Sequence, residues 1–406
     1  MISVEDALER ILAAAPKLHS EQIDISKAAG RVLAADVRAE RDQPPADSSA
    51  MDGYAVRYAD VANLPVKLNV IGEAPAGALF TGQVGAGEAV HIFTGGVMPT
   101  GTDTVIMQEN TAENGNDHGV VTVLEGARLG RHVRQQGHDF SAGDILVEKG
   151  TRLGPRQIGL IAAGNIAALE VTVKPRVTLL STGDELVPPG TADTADQIVN
   201  SNAPMLAALL QQAGADVTLA GVARDEPDAL KSALAQIKDT DLLITIGGAS
   251  VGARDLVQVV LKDLGFQLDF WKVRMRPGKP VIFGRFGETP VLGLPGNPVS
   301  AMVGTYLFVL PMIQAMLGSD ISLLTQTAAK LTDDLAENGD RQAYLRARIE
   351  LSRQGQWTAS IAHDQDSAAL RSLSKADGLI VRYPDAPALP AGTCVPVILF
   401  SSPGLV

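Results

Sequence analysis

The sequence predicts a multi-domain α/β plus β fold, built around a central three-layer α/β domain with a mostly parallel sheet. Strand-like and helix-like segments alternate over residues 176–317, and runs such as Leu242–Ile246 are short and wholly apolar, which is typical of strands buried on both faces. Short β-type runs separated by Gly, Pro, Asn and Asp occupy residues 66–125 and return beyond residue 325. We therefore expect an inserted small β domain, a mixed linker domain and a C-terminal β-barrel-like domain.

These patterns give four predicted units. They are N-terminal helices with a mixed linker domain (1–44 and 141–174), the inserted β domain (45–140), the α/β domain (175–320) and the C-terminal β domain (321–406). The first unit opens with an amphipathic helix, for which Ser3 is the predicted N-cap, and residues 26–37 show a second helical pattern. If residues 141–174 pack against residues 20–44, the β domain interrupts another domain.

Composition limits the function. A net charge of −12 argues against a nucleic-acid backbone or an anionic membrane as partner, and 4% aromatic residues leave little for stacking bases. Cys394 is the only cysteine, so a disulfide or a thiolate metal cluster within one chain is excluded. We expect Cys394 to be an inert core residue. Because the N-terminus also lacks a signal-peptide pattern, we expect a cytoplasmic protein.

One apolar segment, residues 301–317, resembles a membrane span. It contains Gly304, Tyr306, Pro311 and Gln314, and it is shorter than the roughly 20 residues that a span needs. A helix buried against a sheet is the favoured interpretation.

The segment 241–255 indicates an anion site. The apolar strand is followed by Gly247 and Gly248, then by Ser250, Gly252 and Asp255 at the start of a helical pattern. Free backbone amides and the helix dipole point the same way at such a turn. The alternative is an ordinary strand–helix loop with a helix-capping acid.

Further acids follow other predicted strands. Glu185 comes after one strand, Asp225 after the next, and Asp255 after a third. Carboxyl ends of parallel strands meet at one edge of a sheet, so we expect these carboxylates to converge. Mg²⁺ is the natural neutralising ion, because it binds one or two carboxylates together with substrate phosphates. For each acid alone, the alternative is an N-cap or a solvated loop residue.

A basic cluster lies further along, in WKVRMRPGKP. Alternation along one strand would place Lys272, Arg274 and Arg276 on one side, with Lys279 beyond a proline-stiffened turn. In an acidic protein this indicates a bound oxyanion, although an edge strand protected by charge is the alternative. The next turn, LPGNPVSA, suggests a rigid ligand wall. Asp52 in SSAMDGYAVR and Asp139 in GHDFSAGD are weak signals alone.

Together, these segments resemble the MoeA family of molybdopterin molybdenumtransferases, to which the gephyrin E domain is similar. The segments occur in the family's order and span nearly the whole chain; they are SSAMDGYAVR, IFTGGVMPTGTDTVIMQE, STGDEL, IVNSNAPML, VARDEP, GGASVGARD, WKVRMRPGKP and LPGNPVSA.

The resemblance implies insertion of molybdenum from molybdate into adenylylated molybdopterin, with Mg²⁺ as cofactor and release of AMP. The implied catalytic residues are Asp52, Asp139, Glu185, Asp225 and Asp255, of which Glu185, Asp225 and Asp255 would also hold the metal. The implied substrate-binding residues are Thr94, Gly247, Gly248, Ser250, Gly252, Lys272, Arg276, Lys279, Pro295, Pro298 and Ser300. Arg346 and Ser367 match positions associated with molybdate.

Two positions depart from the family pattern. Arg276 stands where the family usually has Lys, and Asp366 precedes Ser367 where Gly is usual. The resemblance further implies an elongated homodimer in which Asp52 serves the partner's α/β domain, and it suggests the molybdopterin adenylyltransferase and molybdoenzyme chaperones as further partners. Two alternatives stay open at this point, namely a molybdopterin adenylyltransferase and a non-catalytic gephyrin-like scaffold.

Overall fold

The structure is a computed structural model that describes residues 1–113, 119–247, 265–319 and 326–400. In these ranges the α-helices are α1 (Val4–Ala13), α2 (Pro155–Ala163), α3 (Asn202–Gln212), α4 (Pro227–Gln236), α5 (Pro298–Gly304), α6 (Leu310–Leu317) and α7 (Leu370–Leu373). Shorter 3₁₀ turns cover Ile25–Lys27, Tyr58–Val61 and Gln108–Asn110, and a π-helical segment covers Thr305–Val309.

The strands of the N-terminal half are β1 (Ser20–Asp24), β2 (Val37–Arg38), β3 (Ser48–Ser49), β4 (Gly53–Val56), β5 (Val66–Ala74), β6 (Glu88–Ile92), β7 (Thr104–Met107), β8 (Thr111–Glu113), β9 (Val120–Val123), β10 (Val133–Arg134), β11 (Ile145–Val147) and β12 (Ala168–Thr172). Those of the C-terminal half are β13 (Arg176–Thr182), β14 (Leu186–Val187), β15 (Ile198–Val199), β16 (Asp216–Ala223), β17 (Leu242–Ile246), β18 (Gln267–Trp271), β19 (Met275–Arg276), β20 (Ile282–Phe286), β21 (Thr289–Leu294), β22 (Gln326–Leu331), β23 (Gln342–Leu351), β24 (Trp357–Ile361), β25 (Gly378–Arg382) and β26 (Cys394–Leu399).

The β domain is inserted into the linker domain. Strand β1 pairs with β12 and β2 with β11, both antiparallel, and Gln43 bridges to Phe140. Residues on both sides of the insertion therefore share one small core, which includes Leu33, Val147 and Leu169. Between them, six strands form the mixed sheet β7-β4-β6-β5-β9-β8.

The second helical pattern, predicted over residues 26–37, is wrong. The helix does not continue beyond the 3₁₀ turn at Ile25–Lys27, since Gly30 adopts a φ of 76°. Val32 and Leu33 instead form isolated β-bridges to Arg152 and to Val171 of β12, both of which follow the insertion. Long-range burial of these two apolar side chains outweighs the local helical preference.

The opening helix α1 is confirmed, and its apolar face packs on the α/β domain. The Oγ atom of Ser3 accepts a hydrogen bond from the Asp6 backbone N–H at 2.9 Å, as the N-cap prediction requires. Ala7 and Ile11 are fully buried in the same core as Met312 of α6.

The α/β domain has three layers. Its sheet has the order β16-β13-β17-β21-β20-β18, in which the pairings from β16 to β21 are parallel. Helices cover both faces of the sheet. Because neighbouring residues of a strand point to opposite faces, Leu179 packs in the core with α3 and α5, whereas Leu180 packs in the core with α4. The predicted mostly parallel, doubly covered sheet is confirmed.

The apolar helical run Pro298–Leu317 belongs to this domain. Its length and composition would suit a membrane span, but 78% of its most apolar window is buried inside the protein. Val303, Phe308 and Met312 lie in the α/β core, so the prediction of a helix buried against the sheet is confirmed.

The basic segment does not form one strand, and that prediction is wrong. Strand β18 ends at Trp271, and Lys272 has a φ of 73°, which turns the chain away from the α/β sheet. Strand β19 then pairs with β23 of the C-terminal domain. The Lys272 ammonium consequently lies 3.6 Å from the centre of the Trp271 ring, whereas Arg274 and Arg276 are exposed elsewhere.

The C-terminal domain is a closed barrel of five strands. The sheet order β19-β23-β24-β22-β26-β25 is closed by pairing of β23 with β25, while β19 adds to β23 from outside. Cys394 is exposed at the start of β26, so the prediction of a core cysteine is wrong. Alternation along the strand buries Val395 and turns Cys394 outward.

Candidate active site

A cavity of about 730 Å³ lies at the carboxyl ends of the parallel strands. Thr182 ends β13, Gly247 follows β17 and Pro295 follows β21, so three adjacent strands supply its base. Ala368 and Leu370 of the C-terminal domain complete one wall. This is where open parallel sheets place their ligands.

Two of the predicted acids meet in this cavity. Glu185 and Asp225 both line it, although 40 residues of sequence separate them. Their loops are tied together because the Asp225 backbone N–H donates to the Asp184 carboxylate at 3.0 Å. Two carboxylate residues from linked loops therefore line the same cavity.

Only some of the predicted basic and proline-turn residues line the cavity. Lys279, Pro295 and Pro298 line the cavity with the two acids. In the described part of the chain, Lys272 and Arg276 are not among the lining residues, and neither is Ser300, which is buried within the first turn of α5.

Ser367 is held against the proline turn although it comes from the C-terminal domain. The Asn297 side-chain amide donates to Ser367 Oγ at 2.7 Å, and the Val299 backbone N–H donates to the Ser367 carbonyl at 3.1 Å. Ser367 therefore borders the cavity that Asn297 and Pro298 line.

Arg346 lies beneath the loop that carries Ser367. It is 1% exposed, and its Nη2 donates to the carbonyl oxygens of Asp364 and Asp366 at 2.8 and 2.9 Å. Burial lowers the pKa of its guanidinium, and the Nε–H has no hydrogen-bond partner within the described ranges. The buried guanidinium thus holds this loop in place, and its Nε–H is still able to donate a hydrogen bond.

Asp52 and Thr94 meet in the β domain. Asp52 Oδ1 accepts from the Thr94 backbone N–H at 2.6 Å and from its hydroxyl at 2.8 Å. These two hydrogen bonds lower the pKa of Asp52, which is fully exposed, so the carboxylate is ionised at neutral pH.

The residues of the β and linker domains are not among those that line the cavity of this chain. This holds for Asp52 and Thr94, and also for Asp139, which is exposed at the end of the inserted β domain, where it meets the linker domain. The predicted residues Gly248, Ser250, Gly252 and Asp255 lie outside the described residues.

Sequence reasoning missed several polar residues of the cavity. Thr182, Asn200, Asn202 and Asn297 all line it. The signal was present, since in VNSNAP Asn200 lies just before helix α3 and Asn202 is its first residue, directly after a short strand. Asparagine there is usually interpreted as a cap, and that local explanation conceals a role in a cavity.

The arrangement combines two carboxylates, a lysine and uncharged donors around one crevice. Carboxylates can hold a hard divalent cation, while the lysine and the hydroxyl and amide groups can bind a phosphate or another oxyanion. Such a site suits chemistry on a phosphorylated, partly apolar substrate.

Comparison with known proteins identifies the family. Family models for the MoeA N-terminal region (domain I and II), a probable molybdopterin binding domain and the MoeA C-terminal region (domain IV) match residues 2–164, 178–315 and 328–400. A molybdopterin molybdenumtransferase of Nostoc sp. is 40% identical, covering 86% of this chain and 83% of that protein. One from Haemophilus influenzae is 33% identical and covers 99% of both chains.

A solved structure agrees. The molybdopterin biosynthesis MoeA protein from Pyrococcus horikosii superposes with a TM-score of 0.84 at 32% identity, covering 99% of this chain and 100% of that one. The chain therefore belongs to the MoeA family of molybdopterin molybdenumtransferases.

Proposed function

We propose that this member of the family inserts molybdenum into adenylylated molybdopterin, with Mg²⁺-dependent hydrolysis of the adenylate and release of AMP. Transfer of molybdenum into molybdopterin is the activity of the family. In the proposed reaction, water adds across the phosphoanhydride, so that AMP and the pterin phosphate separate. The two dithiolene thiols bind molybdenum as thiolates in place of one oxygen ligand of molybdate, and their two protons leave with that oxygen as one water.

The observation that supports this proposal is the shared cavity of Glu185, Asp225 and Lys279. Mg²⁺ commonly binds one or two protein carboxylates and completes its shell with phosphate oxygens and water, so the two acids fit it. Asp255, the third predicted metal ligand, lies outside the described residues. When bound, Mg²⁺ would offset charge on the leaving phosphate.

The chain's own residues would divide the remaining work. Lys279 places an ammonium group where it can attract a phosphate or molybdate oxygen. The turn from Pro295 to Pro298 is rigid and keeps the wall in place. Ser367, anchored by Asn297, presents a hydroxyl at the junction with the barrel.

The experiment is molybdate-dependent AMP release. Purified protein is mixed with adenylylated molybdopterin, molybdate and MgCl₂, and AMP is measured by chromatography. We expect AMP only when molybdate and Mg²⁺ are both present, with loss on chelation and recovery on adding Mg²⁺ back. AMP release that does not depend on molybdate would contradict the proposal, and so would the absence of AMP release under every condition.

Arg346→Ala is expected to raise the molybdate concentration needed for half-maximal AMP release by about 10-fold or more. The loop with Ser367 would lose its two bonds from the guanidinium, and the unpartnered Nε–H would be gone. AMP affinity should change little. Arg348→Ala is the matched control, because Arg348 is exposed two residues further along the same strand. Equal effects of both variants on molybdate would argue against this role.

We also propose that the working site is shared between two copies of the chain. Asp52, Thr94 and Asp139 belong to the family's site pattern, yet they lie in domains that do not line this chain's cavity. A second copy could bring its exposed Asp52–Thr94 pair to the carboxylate side of the cavity. The molybdopterin adenylyltransferase and molybdoenzyme chaperones would then meet the dimer as donor and acceptor of the pterin.

A further inference from the structure

A second concavity, of about 510 Å³, lies on the C-terminal domain and is separate from the cavity described above. In the described part of the chain, the two share no lining residue. The basic residues of its lining come from strand β23, from the loop after β24, and from helix α7 with the turn that follows it; they are Arg348, His363, Arg371 and Lys375. We call this concavity the basic groove.

The basic groove is positively charged although the protein is acidic. Its permanent cations are Arg348, Arg371 and Lys375, whereas the whole chain has a net charge of −12. Among the described residues that line the groove, Asp364 is the one acid, and its Oδ1 has a local partner in the Asp366 backbone N–H at 2.8 Å. Like charges that lie close together repel unless an opposite charge lies between them. The groove therefore favours an anionic occupant.

The cations of the groove are accessible to a ligand. Arg348, Arg371 and Lys375 are all exposed. Within the described ranges, the side chains of Arg371 and Lys375 take part in no hydrogen bond or ion pair. The Arg348 Nε–H donates to the exposed carboxylate of Glu350 at 2.8 Å, which orients the guanidinium. A ligand could thus pair with Arg371 and Lys375 without breaking an existing bond of either side chain.

The size and lining of the groove favour an acidic peptide segment over other anions. The volume of about 510 Å³ far exceeds that of a single tetrahedral oxyanion. No aromatic side chain is among the described lining residues, so a nucleotide base would have no ring to stack on. Ile361, Ala362 and Ala376 are partly buried apolar residues of the lining, against which the methylene groups of glutamate side chains can pack.

Helix α7 contributes to both the basic groove and the cavity. Leu370 lines the cavity, whereas Arg371 and Ser372 line the groove. The Asp364 carbonyl connects the two sites, since it accepts from Arg346 Nη2 and from Ser372 Oγ, each at 2.8 Å. A protein bound in the groove would therefore lie beside one wall of the cavity.

We propose that the basic groove docks an acidic segment of a partner protein next to the cavity. Carboxylates of the segment pair with Arg371 and Lys375, and Arg348 contributes the third positive charge. The position suits a protein that delivers a ligand to the cavity or accepts one from it. Because the charges are exposed, docking should depend strongly on ionic strength and should orient the partner more than it tightens binding. The inference goes beyond the proposed reaction, and the docking itself does not depend on it.

Binding of a fluorescein-labelled hexaglutamate peptide to the full chain, measured by fluorescence anisotropy at low ionic strength, tests the groove. We expect saturable binding that weakens as NaCl is added. The double variant Arg371→Gln with Lys375→Gln should bind about 5-fold more weakly or less, because two exposed ion pairs are lost. The exchange Arg371→Lys with Lys375→Arg keeps both charges and should retain binding. Neither variant should change the unfolding temperature, since both side chains are exposed.

Lys17→Gln with Arg353→Gln is the matched control. It removes one lysine and one arginine charge from exposed residues that do not line the groove, so the peptide affinity should stay at the wild-type value. Equal weakening by both double variants would overturn the inference, because the attraction would then be a property of net charge alone. A wild-type protein that does not bind the peptide would also overturn it.

Inorganic phosphate separates a peptide groove from a site for a free oxyanion. We expect phosphate to displace the peptide no better than NaCl at the same ionic strength, and stronger displacement by phosphate would overturn the inference. Arg371→Gln with Lys375→Gln should release AMP at the wild-type rate in the purified assay, because neither residue lines the cavity. A wild-type protein that binds the peptide yet releases no molybdate-dependent AMP would support the docking groove and contradict only the proposed reaction.

Discussion

Asp225→Asn should reduce molybdate-dependent AMP release by about 100-fold or more while leaving the protein folded. The substitution keeps the size and shape of the side chain. It removes one of the two negative charges, those of Asp225 and Glu185, that line the cavity. A divalent cation that offsets charge on a leaving phosphate contributes several kcal/mol, and each ~1.4 kcal/mol is tenfold in rate. Asp225 is exposed, and its loop is anchored through its backbone N–H, which asparagine retains.

The measurement is the initial rate of AMP release as a function of MgCl₂ concentration. Asp216→Asn is the control, because Asp216 is exposed at the opposite end of the same strand β16 and away from the cavity. It should leave the rate unchanged. If Asp225→Asn releases AMP at the wild-type rate with the wild-type Mg²⁺ dependence, the carboxylate has no part in the reaction. If the variant unfolds, Asp225 is a structural residue instead.

Mixing two inactive variants, Asp52→Asn and Asp225→Asn, should restore activity. In a shared site, Asp52 of one copy serves the cavity of the other, so each mixed dimer contains one site with both acids intact and one with neither. Random exchange of equal amounts then repairs about a quarter of all sites. Each variant alone should remain inactive.

The experiment needs subunit exchange before the assay, and co-expression of two differently tagged chains provides it. Activity of the purified mixed dimer is compared with that of wild-type dimer at equal concentration. A mixture of Asp225→Asn with Glu185→Gln is the control, because both residues line the same cavity in one chain and every site of the mixed dimer would lack one of them. No recovery from Asp52→Asn with Asp225→Asn in a confirmed mixed dimer would place Asp52 in the cavity of its own chain or outside the reaction.

Much of the fold could be predicted because local pattern and burial agree. Leu242–Ile246 is a buried strand in the sequence and in the structure, since its apolar residues serve both layers. The prediction of one continuous strand failed at Lys272. There the alternation of basic and apolar residues continues in the sequence, but the backbone turns. Prediction also failed after Gly30, where long-range bridges replaced a helix that local preference favours. In both places a distant segment, invisible to local periodicity, decides the path.

The site could be predicted only where strand order alone brings residues together. Glu185 and Asp225 could be brought together from sequence, because a parallel sheet aligns the ends of its strands. The role of Ser367 beside Asn297 could not be reached by that route, since it depends on how a barrel meets a sheet. Thr182 and Asn202 escaped notice because one ends a strand and the other begins a helix, and only the fold brings them to one cavity.

The path of the chain through β19 has a mechanical consequence. The chain leaves the α/β sheet after β18, and β19 pairs with the barrel strand β23, which also carries Arg346. The two hydrogen bonds to Ser367 connect the same domains at a second place. Because the barrel is attached to the α/β domain at two places, rotation about either attachment alone would break the other. If molybdate binds beside Ser367 as proposed, we expect selection among oxyanions to depend on fit to a preformed pocket rather than on closure of the barrel around the ion.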